Sequence, residues 1–567
     1  MKSHTLLTLA VVALPSLASA ASPPTLDLAI ALEPVLSAPA PYLKVELAYR
    51  AGARGTCHLQ VPSSWGGQDN MMRSVRKLEV DGATGPLQET AAGMRSFPCV
   101  EGKPLRVRYE LHQDFEGQVD NARRYRFVMQ PEYFHFNGNS GWVLPAGDNA
   151  ESHLRVDLRW KQVPAGWRLV NSYGVDQLRQ QFDTTRDGLE SSSFAGGDFR
   201  LQSVGPAGKA ITVAMRGNWA FTDAQFIDSV RANIALQRAF WKAGDTPFLV
   251  TLIPMAGRGS IGGTGLTDAF QMYGTADANF ADLDGLVAHE YFHTWNPGRL
   301  GGLEKPEELN YWMSEGFTDY YATQLRLRAG RITLEQYVAE INAALRATWF
   351  SSARNVPNAQ IQQDFWKNAA VYRLPYQRGH LLALEWNAQI REASKGKQSF
   401  DDVIYELERQ ANAQAAPLNA ARFDAVLRRY AGKSAMDAIA RHIEQGVLTA
   451  PRAAWLGPGM RVEEVELPVF ELGFDLKAIR DLRLGPVAPE SAAYRAGLRE
   501  GQLLKTKLSF ALGKPDQVVE MTVEDAAGTK TVRFEPKASK GKVVPQFRLP
   551  DGLSAEGRAA IMRWLGA

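Results

Sequence analysis

Between residues 27 and 213, apolar and polar positions alternate in short runs such as Leu43-Lys-Val-Glu-Leu-Ala-Tyr49 and Leu154-Arg-Val-Asp-Leu-Arg-Trp160, with Gly, Pro and Asn between them. A period of two buries one face of a strand and wets the other, so this stretch predicts an antiparallel β domain, most readily a sandwich. Near Phe221 the period changes. Thr222-Asp-Ala-Gln opens a helical pattern carried by Ile227, Val230, Ile234 and Phe240, and a strand at 248–253 follows. After a Gly-rich loop at 257–265, helical periodicity returns at 286–295, 310–328, 334–349, 376–392 and 400–410, so this second region is mostly α. Beyond Pro451 short strands reappear at 518–523 and 529–534, and an amphipathic helix at 554–565 closes the chain. The pattern divides the chain into a β-rich domain at 21–213, a mostly helical domain at 214–450, a small β-rich domain at 451–540 and a tail at 541–567. The fold class is α+β and multidomain.

Length agrees with several cores, since 567 residues exceed what one hydrophobic core serves. With 45% apolar and 22% charged residues the chain reads as globular nearly throughout. A net charge of +3, with 64 basic and 61 acidic side chains interspersed, leaves no basic stripe for a nucleic-acid partner. The first twenty residues change the picture more. Lys2, an apolar run at 6–14, Pro15 and the small-residue pattern Ala18-Ser19-Ala20 predict a secretory signal at 1–20, hence a periplasmic or secreted protein. No other segment has the roughly 18 uninterrupted apolar residues of a membrane span, so no anchor is expected after cleavage. The two cysteines, Cys57 and Cys99, both lie in the first β region; the compartment permits a disulfide, and two buried thiols are the other reading.

One constellation carries chemistry. In Asp284-Gly-Leu-Val-Ala-His289-Glu290-Tyr-Phe-His293 the two histidines stand four apart on a helix, so both imidazoles leave the same face and can reach one metal ion. Glu290 then stands beside the metal, where a carboxylate can take a proton from a water acidified by the cation and return it to a leaving amine. A catalytic zinc uses three protein ligands and one open position. Glu315, in Asn310-Tyr-Trp-Met-Ser-Glu315-Gly-Phe-Thr-Asp319, is the third candidate. Asp319 lies one helical turn later and can accept the outer N–H of a liganding histidine, His289 being the first choice. A pair of interior histidines is the bland reading of His289 and His293. With nine histidines in the chain, the full His-Glu-x-x-His string followed by Glu-x-x-x-Asp is a rare coincidence. The Gly-rich loop lacks the Gly-Lys-Ser/Thr ending of a phosphate cradle and the spacing of a dinucleotide fingerprint.

At these residues the chain resembles the glycyl-aminopeptidase-like zinc metallopeptidases with a PDZ domain, a branch of the gluzincins. The likeness is carried by His289-Glu-Tyr-Phe-His-Thr-Trp-Asn296 with Arg299-Leu300 and by Trp312-Met-Ser-Glu-Gly-Phe-Thr-Asp-Tyr-Tyr321. It implies a thermolysin-like catalytic domain, a single Zn2+ held by His289, His293 and Glu315, and a peptide or protein substrate. Leu374-Pro-Tyr376-Gln-Arg-Gly379 resembles the family segment whose tyrosine donates to the oxyanion, which implies that role for Tyr376, with Tyr372 as the competing donor. Phe470-Glu-Leu-Gly473-Phe474 and Ser491-Ala-Ala-Tyr-Arg-Ala-Gly-Leu-Arg-Glu-Gly501 resemble a PDZ module, which implies a C-terminal peptide as a further partner. One departure matters. Where the family has Gly-Gly-Leu-Glu-His, suited to holding a free α-amine, this chain reads Gly262-Gly263-Thr264-Gly265-Leu266-Thr267-Asp268. Gly262 and Gly263 keep the backbone that binds an extended peptide edgewise, and Asp268 is the candidate for the missing carboxylate. Aminopeptidase action is therefore expected, with an endopeptidase of the same zinc chemistry as the alternative. A non-catalytic periplasmic protein that binds peptides through the PDZ-like module is the rival from another class.

Overall fold

The computed structural model describes residues 25–37, 40–52, 55–146, 153–206, 208–414, 416–505 and 513–567; the expected signal at 1–20 lies outside them. Two compact units are present. The first comprises 25–64, 69–115 and 126–197, and the second 65–68, 116–125 and 198–567. No described helix is long and apolar enough to cross a membrane.

The first unit is built of β-sheets, as the alternation predicts. Its largest sheet has six strands in the order Arg179–Thr185, His153–Trp160, Thr25–Val35, Tyr42–Arg50, Pro104–His112 and Val75–Asp81. Leu28, Ile30 and Leu32 of one strand and Leu43, Val45 and Leu47 of the next point into a shared core with Phe97, Phe134 and Phe136. The expectation of a purely antiparallel domain needs correction, because Thr25–Val35 pairs in parallel with His153–Trp160. Parallel neighbours need a long connection rather than a hairpin, and here more than a hundred residues of the unit separate the two strands. Cys57 and Cys99 are joined as a disulfide across the neighbouring strands Gly55–Gln60 and Met94–Cys99.

The second unit starts before the change of period does. Strands Arg200–Val204 and Ile211–Met215 fall within the stretch expected to belong to the first domain, yet they pair into a five-stranded sheet completed by Phe248–Pro254, Ala269–Gly274 and Ile261–Leu266. The break between units therefore falls at Gly197 rather than near 213. The three middle strands run parallel and are buried along almost their whole length, as strands covered on both faces are. Helix Asp223–Phe240 makes the crossover between the first two of them, and Thr222 with Gln225 forms its capping box. Ile261–Leu266 occupies one edge. This strand is the second half of the stretch expected to be a loop: its glycines hide the alternation that would mark a strand.

Helices Phe280–Phe292, Tyr311–Arg328, Leu334–Phe350, Leu374–Ser394 and Phe400–Ala413 agree with the predicted periodic segments, and Ala420–Ala431 is an addition. Tyr311–Arg328 and Leu374–Ser394 cross at Gly316 and Gly379, where a Cβ on Gly379 would come within 1.9 Å of the Trp312 carbonyl oxygen. Farther on, Leu472, Leu484, Leu498, Met521 and Phe534 form a small separate core in residues 472–534. The chain then returns to the helices. Phe547 exchanges backbone hydrogen bonds with the Asn342 side chain, and Gln324 donates to Leu565 O at the end of helix Ala555–Leu565.

Candidate active site

Helix Phe280–Phe292 begins at Asn279, whose side-chain oxygen accepts from the amides of Ala281 and Asp282, and reaches its C-cap at His293. Leu283, Val287 and Phe292 anchor it in the core, and its last turn and C-cap carry His289, Glu290 and His293. Asn296, just past the helix, holds the second element in place. Its side-chain amide donates to Met313 O, Ser314 O and Thr318 Oγ1 at 2.8 to 3.1 Å, while its backbone oxygen accepts from His293 Nδ1 at 2.9 Å. One residue thus fixes an imidazole and the first turn of helix Tyr311–Arg328, from which Glu315 projects.

His289 Nε2 and His293 Nε2 lie 3.1 Å apart, and Glu315 Oε2 is 3.3 Å from the first and 3.2 Å from the second. The outer nitrogens are committed elsewhere. Asp319 Oδ1 accepts from His289 Nδ1 at 2.7 Å, as the Asn296 carbonyl does from His293 Nδ1. With both Nδ1 atoms turned outward to acceptors, the two Nε2 atoms face one another and a carboxylate, an arrangement that a divalent cation satisfies. Among the described residues this is the one group of three His, Cys, Asp or Glu side chains placed to hold a metal.

The electrostatics follow. Burial works against charge on His289, but Asp319 and Glu315 outweigh it and hold its pKa well above the ordinary value. His293 is raised as well, burial being overcome by Glu315. Burial alone would raise the Glu315 carboxyl; the two imidazoles drive it far below the carboxylate range. Glu290, 8% exposed, is raised by burial. Its carboxylate lies against the edge strand, where a Cβ on Gly263 would stand 3.0 Å from Oε1, so a side chain at 263 would require the base to shift by a few tenths of an ångström.

Tyr376, in the first turn of helix Leu374–Ser394, stacks on His289 with ring centres 5.7 Å apart, and its hydroxyl is 2.8 Å from that of Tyr372. Burial raises the pKa of both phenols, so both stay protonated donors at neutral pH. The structure thus gathers His289, Glu290, His293, Glu315, Asp319, Tyr376, Gly262 and Gly263. Asp268 sits in the turn between Ile261–Leu266 and Ala269–Gly274 with a positive φ of 46°, its backbone oxygen accepting from Leu249 N; the residue abutting the His293 Cβ is Gly265. Two residues that sequence reasoning missed are Arg124 and Tyr125. Tyr125 OH donates to Gly263 O at 2.9 Å, and nothing in the local pattern around 124 and 125 marks them.

A histidine pair and a distant carboxylate at one point, a buried glutamate beside them and an open strand edge above define a zinc hydrolase of the metallopeptidase kind. The model of the M61 glycyl aminopeptidase family matches residues 282–373, the segment that holds His289, Glu290, His293 and Glu315, in agreement with the resemblance read from the sequence. No curated protein matches the chain in sequence. Among solved structures, an aminopeptidase N family protein from Idiomarina loihiensis is similar, with a TM-score of 0.69 at 16% identity over 95% of this chain and 100% of that one. This likeness is one of fold. An M1 zinc metallopeptidase from Deinococcus radiodurans (TM-score 0.48, 14% identity, 76% of this chain and 94% of that one) and yeast LTA4 hydrolase (0.48, 15%, 76% and 69%) are more distant.

The ligand set has a direct test. Glu315→Ala should lose zinc on dialysis that leaves the wild type loaded, with an unchanged circular dichroism spectrum. Zinc retained at wild-type stoichiometry would remove Glu315 from the set.

Proposed function

We propose that this protein is a zinc-dependent aminopeptidase in which His289, His293 and Glu315 hold the metal and Glu290 is the base. The observation that carries the reading is the convergence of two Nε2 atoms and Glu315 Oε2 beside a buried glutamate that abuts an edge strand. A zinc ion held there supplies Lewis acidity toward a peptide carbonyl and lowers the pKa of a nearby water. The protein's residues do the rest. The backbone of Gly262 and Gly263 offers an edge on which an extended peptide can lie as an added strand. Glu290 accepts the proton of the attacking water and returns it to the leaving amine. Asp319 and the Asn296 carbonyl keep both imidazoles turned with Nε2 inward.

Tyr376 donates to the oxyanion that forms at the scissile carbonyl. Tyr376→Phe should lower kcat by about 10²–10³-fold while leaving zinc content unchanged. The same loss in Tyr372→Phe, with Tyr376→Phe active, would transfer the role to Tyr372.

The polypeptide is read as exported, through the leader at 1–20, to the periplasm or medium, and residues 451–540 as a PDZ-like module that takes a C-terminal peptide. Digestion of a peptide library, followed by mass spectrometry, tests the activity. Cleavage should vanish with chelator, return with zinc, and require a free N-terminus. Unimpaired cleavage of acetylated peptides would favour the endopeptidase reading.

A further inference from the structure

Residues 116–125 join the second unit and pack along the edge strand and the loop before it. Val119 O accepts from Ala256 N at 2.8 Å, and Tyr125 OH from this segment meets Gly263 O. Arg124 precedes that tyrosine. Its guanidinium carbon lies 4.5 Å from the centre of the Tyr125 ring, and a Cβ on Gly262 would lie 3.4 Å from its Nε. Asn121 holds Nη1 through its backbone and side-chain oxygens at 2.8 and 2.6 Å. None of the ion pairs among the described residues includes Arg124; the carboxylate that its charge reaches is that of Glu290, beside the next residue of the strand.

The order along the strand gives that charge a direction. Gly265 abuts the Cβ of His293, Gly263 abuts Glu290, and Gly262 abuts Arg124. A base that hands its proton to the leaving amine stands on the leaving-group side of the scissile bond. A peptide laid along this edge therefore continues past Glu290 toward Arg124. Gly262 is the immediate neighbour of Gly263 and its Cβ direction points to the opposite face, so the guanidinium lies across the strand from Glu290 and about 3.3 Å farther along it, level with the first or second residue after the bond. A cation there repels an α-ammonium and suits a carboxylate.

We propose that Arg124 determines specificity by binding a carboxylate carried by the leaving group, one or two residues beyond the scissile bond. Its source is the terminal carboxylate of a short peptide or an acidic side chain at that place. The inference rests on Glu290 as the base, which sets the direction of the substrate.

The test compares di- and trialanine, their C-terminal amides, and an alanyl-aspartyl peptide amidated at its C-terminus so that only the side-chain carboxylate remains. Affinities are measured by calorimetry on zinc-loaded Glu290→Gln protein, with and without Arg124→Gln, and kcat/KM on the corresponding proteins that keep Glu290. A charge-assisted contact predicts about 10- to 100-fold tighter binding of a carboxylate peptide than of its uncharged amide, with the ratio falling close to one in Arg124→Gln. Preference for di- or trialanine over their amides assigns the terminal carboxylate; preference for the aspartyl amide over alanyl-alaninamide assigns the side chain. Equal affinity for acids and amides, or a ratio that survives Arg124→Gln, overturns the proposal even if all the peptides are cleaved. A ratio that depends on Arg124 in a protein that cleaves none of them supports the site and refutes the peptidase reading instead.

Discussion

Glu290→Gln should bind zinc as the wild type does and lose about 10³-fold or more in kcat, at the upper part of the range for a positioned acid–base group. Glutamine keeps the shape that packs against Gly263 but has no basic oxygen for the proton. The side chain is buried, and burial raises its pKa toward neutrality, which brings its proton affinity closer to that of the groups it must serve. Metal analysis and steady-state kinetics on the same preparation separate the two roles. Loss of zinc in this variant would make Glu290 a determinant of the metal site, and undiminished turnover with zinc in place would remove it from the mechanism.

The second large effect should come from a residue that touches no substrate. Gly379→Ala places a methyl group 1.9 Å from the Trp312 carbonyl oxygen and 2.8 Å from the Gly316 Cα, both backbone atoms of the facing helix. Neither can swing aside as a side-chain tip would, so the helices must separate. Overpacking of this kind costs about 1–3 kcal/mol, and a backbone clash belongs at the upper end. Glu315 adjoins Gly316, and Tyr376 is one turn before Gly379, so the same separation pulls a candidate metal ligand away from a candidate oxyanion donor. A lower thermal midpoint should therefore accompany at least a tenfold loss of activity. A variant that melts and turns over like the wild type would mean that this helix crossing is not what sets the site. Gly316→Ala, with its methyl 2.3 Å from Gly379 Cα, should behave alike.

What could be read from the chain was whatever has a local period. Strands in the first unit, the helices that carry His289, Glu315 and Tyr376, and the spacing that puts two imidazoles on one face all follow from residues within a few turns of each other. Glycine erased one such signal, so the edge strand at Ile261–Leu266 read as a loop. A strand pattern is also blind to which sheet the strand joins, and for that reason Arg200–Val204 and Ile211–Met215 read as part of the first domain.

By itself, then, the sequence determined the chemistry of the ligands, the helices that bear them and the class of reaction they suit. Only the folded chain decided that Asn296 ties two helices together and that Tyr125 reaches Gly263 across 138 residues to set Arg124 beside the strand. Backbone periodicity encodes which face of an element is buried. It carries no record of which distant segment will be laid against that face, because that choice is made by the packing of the whole unit.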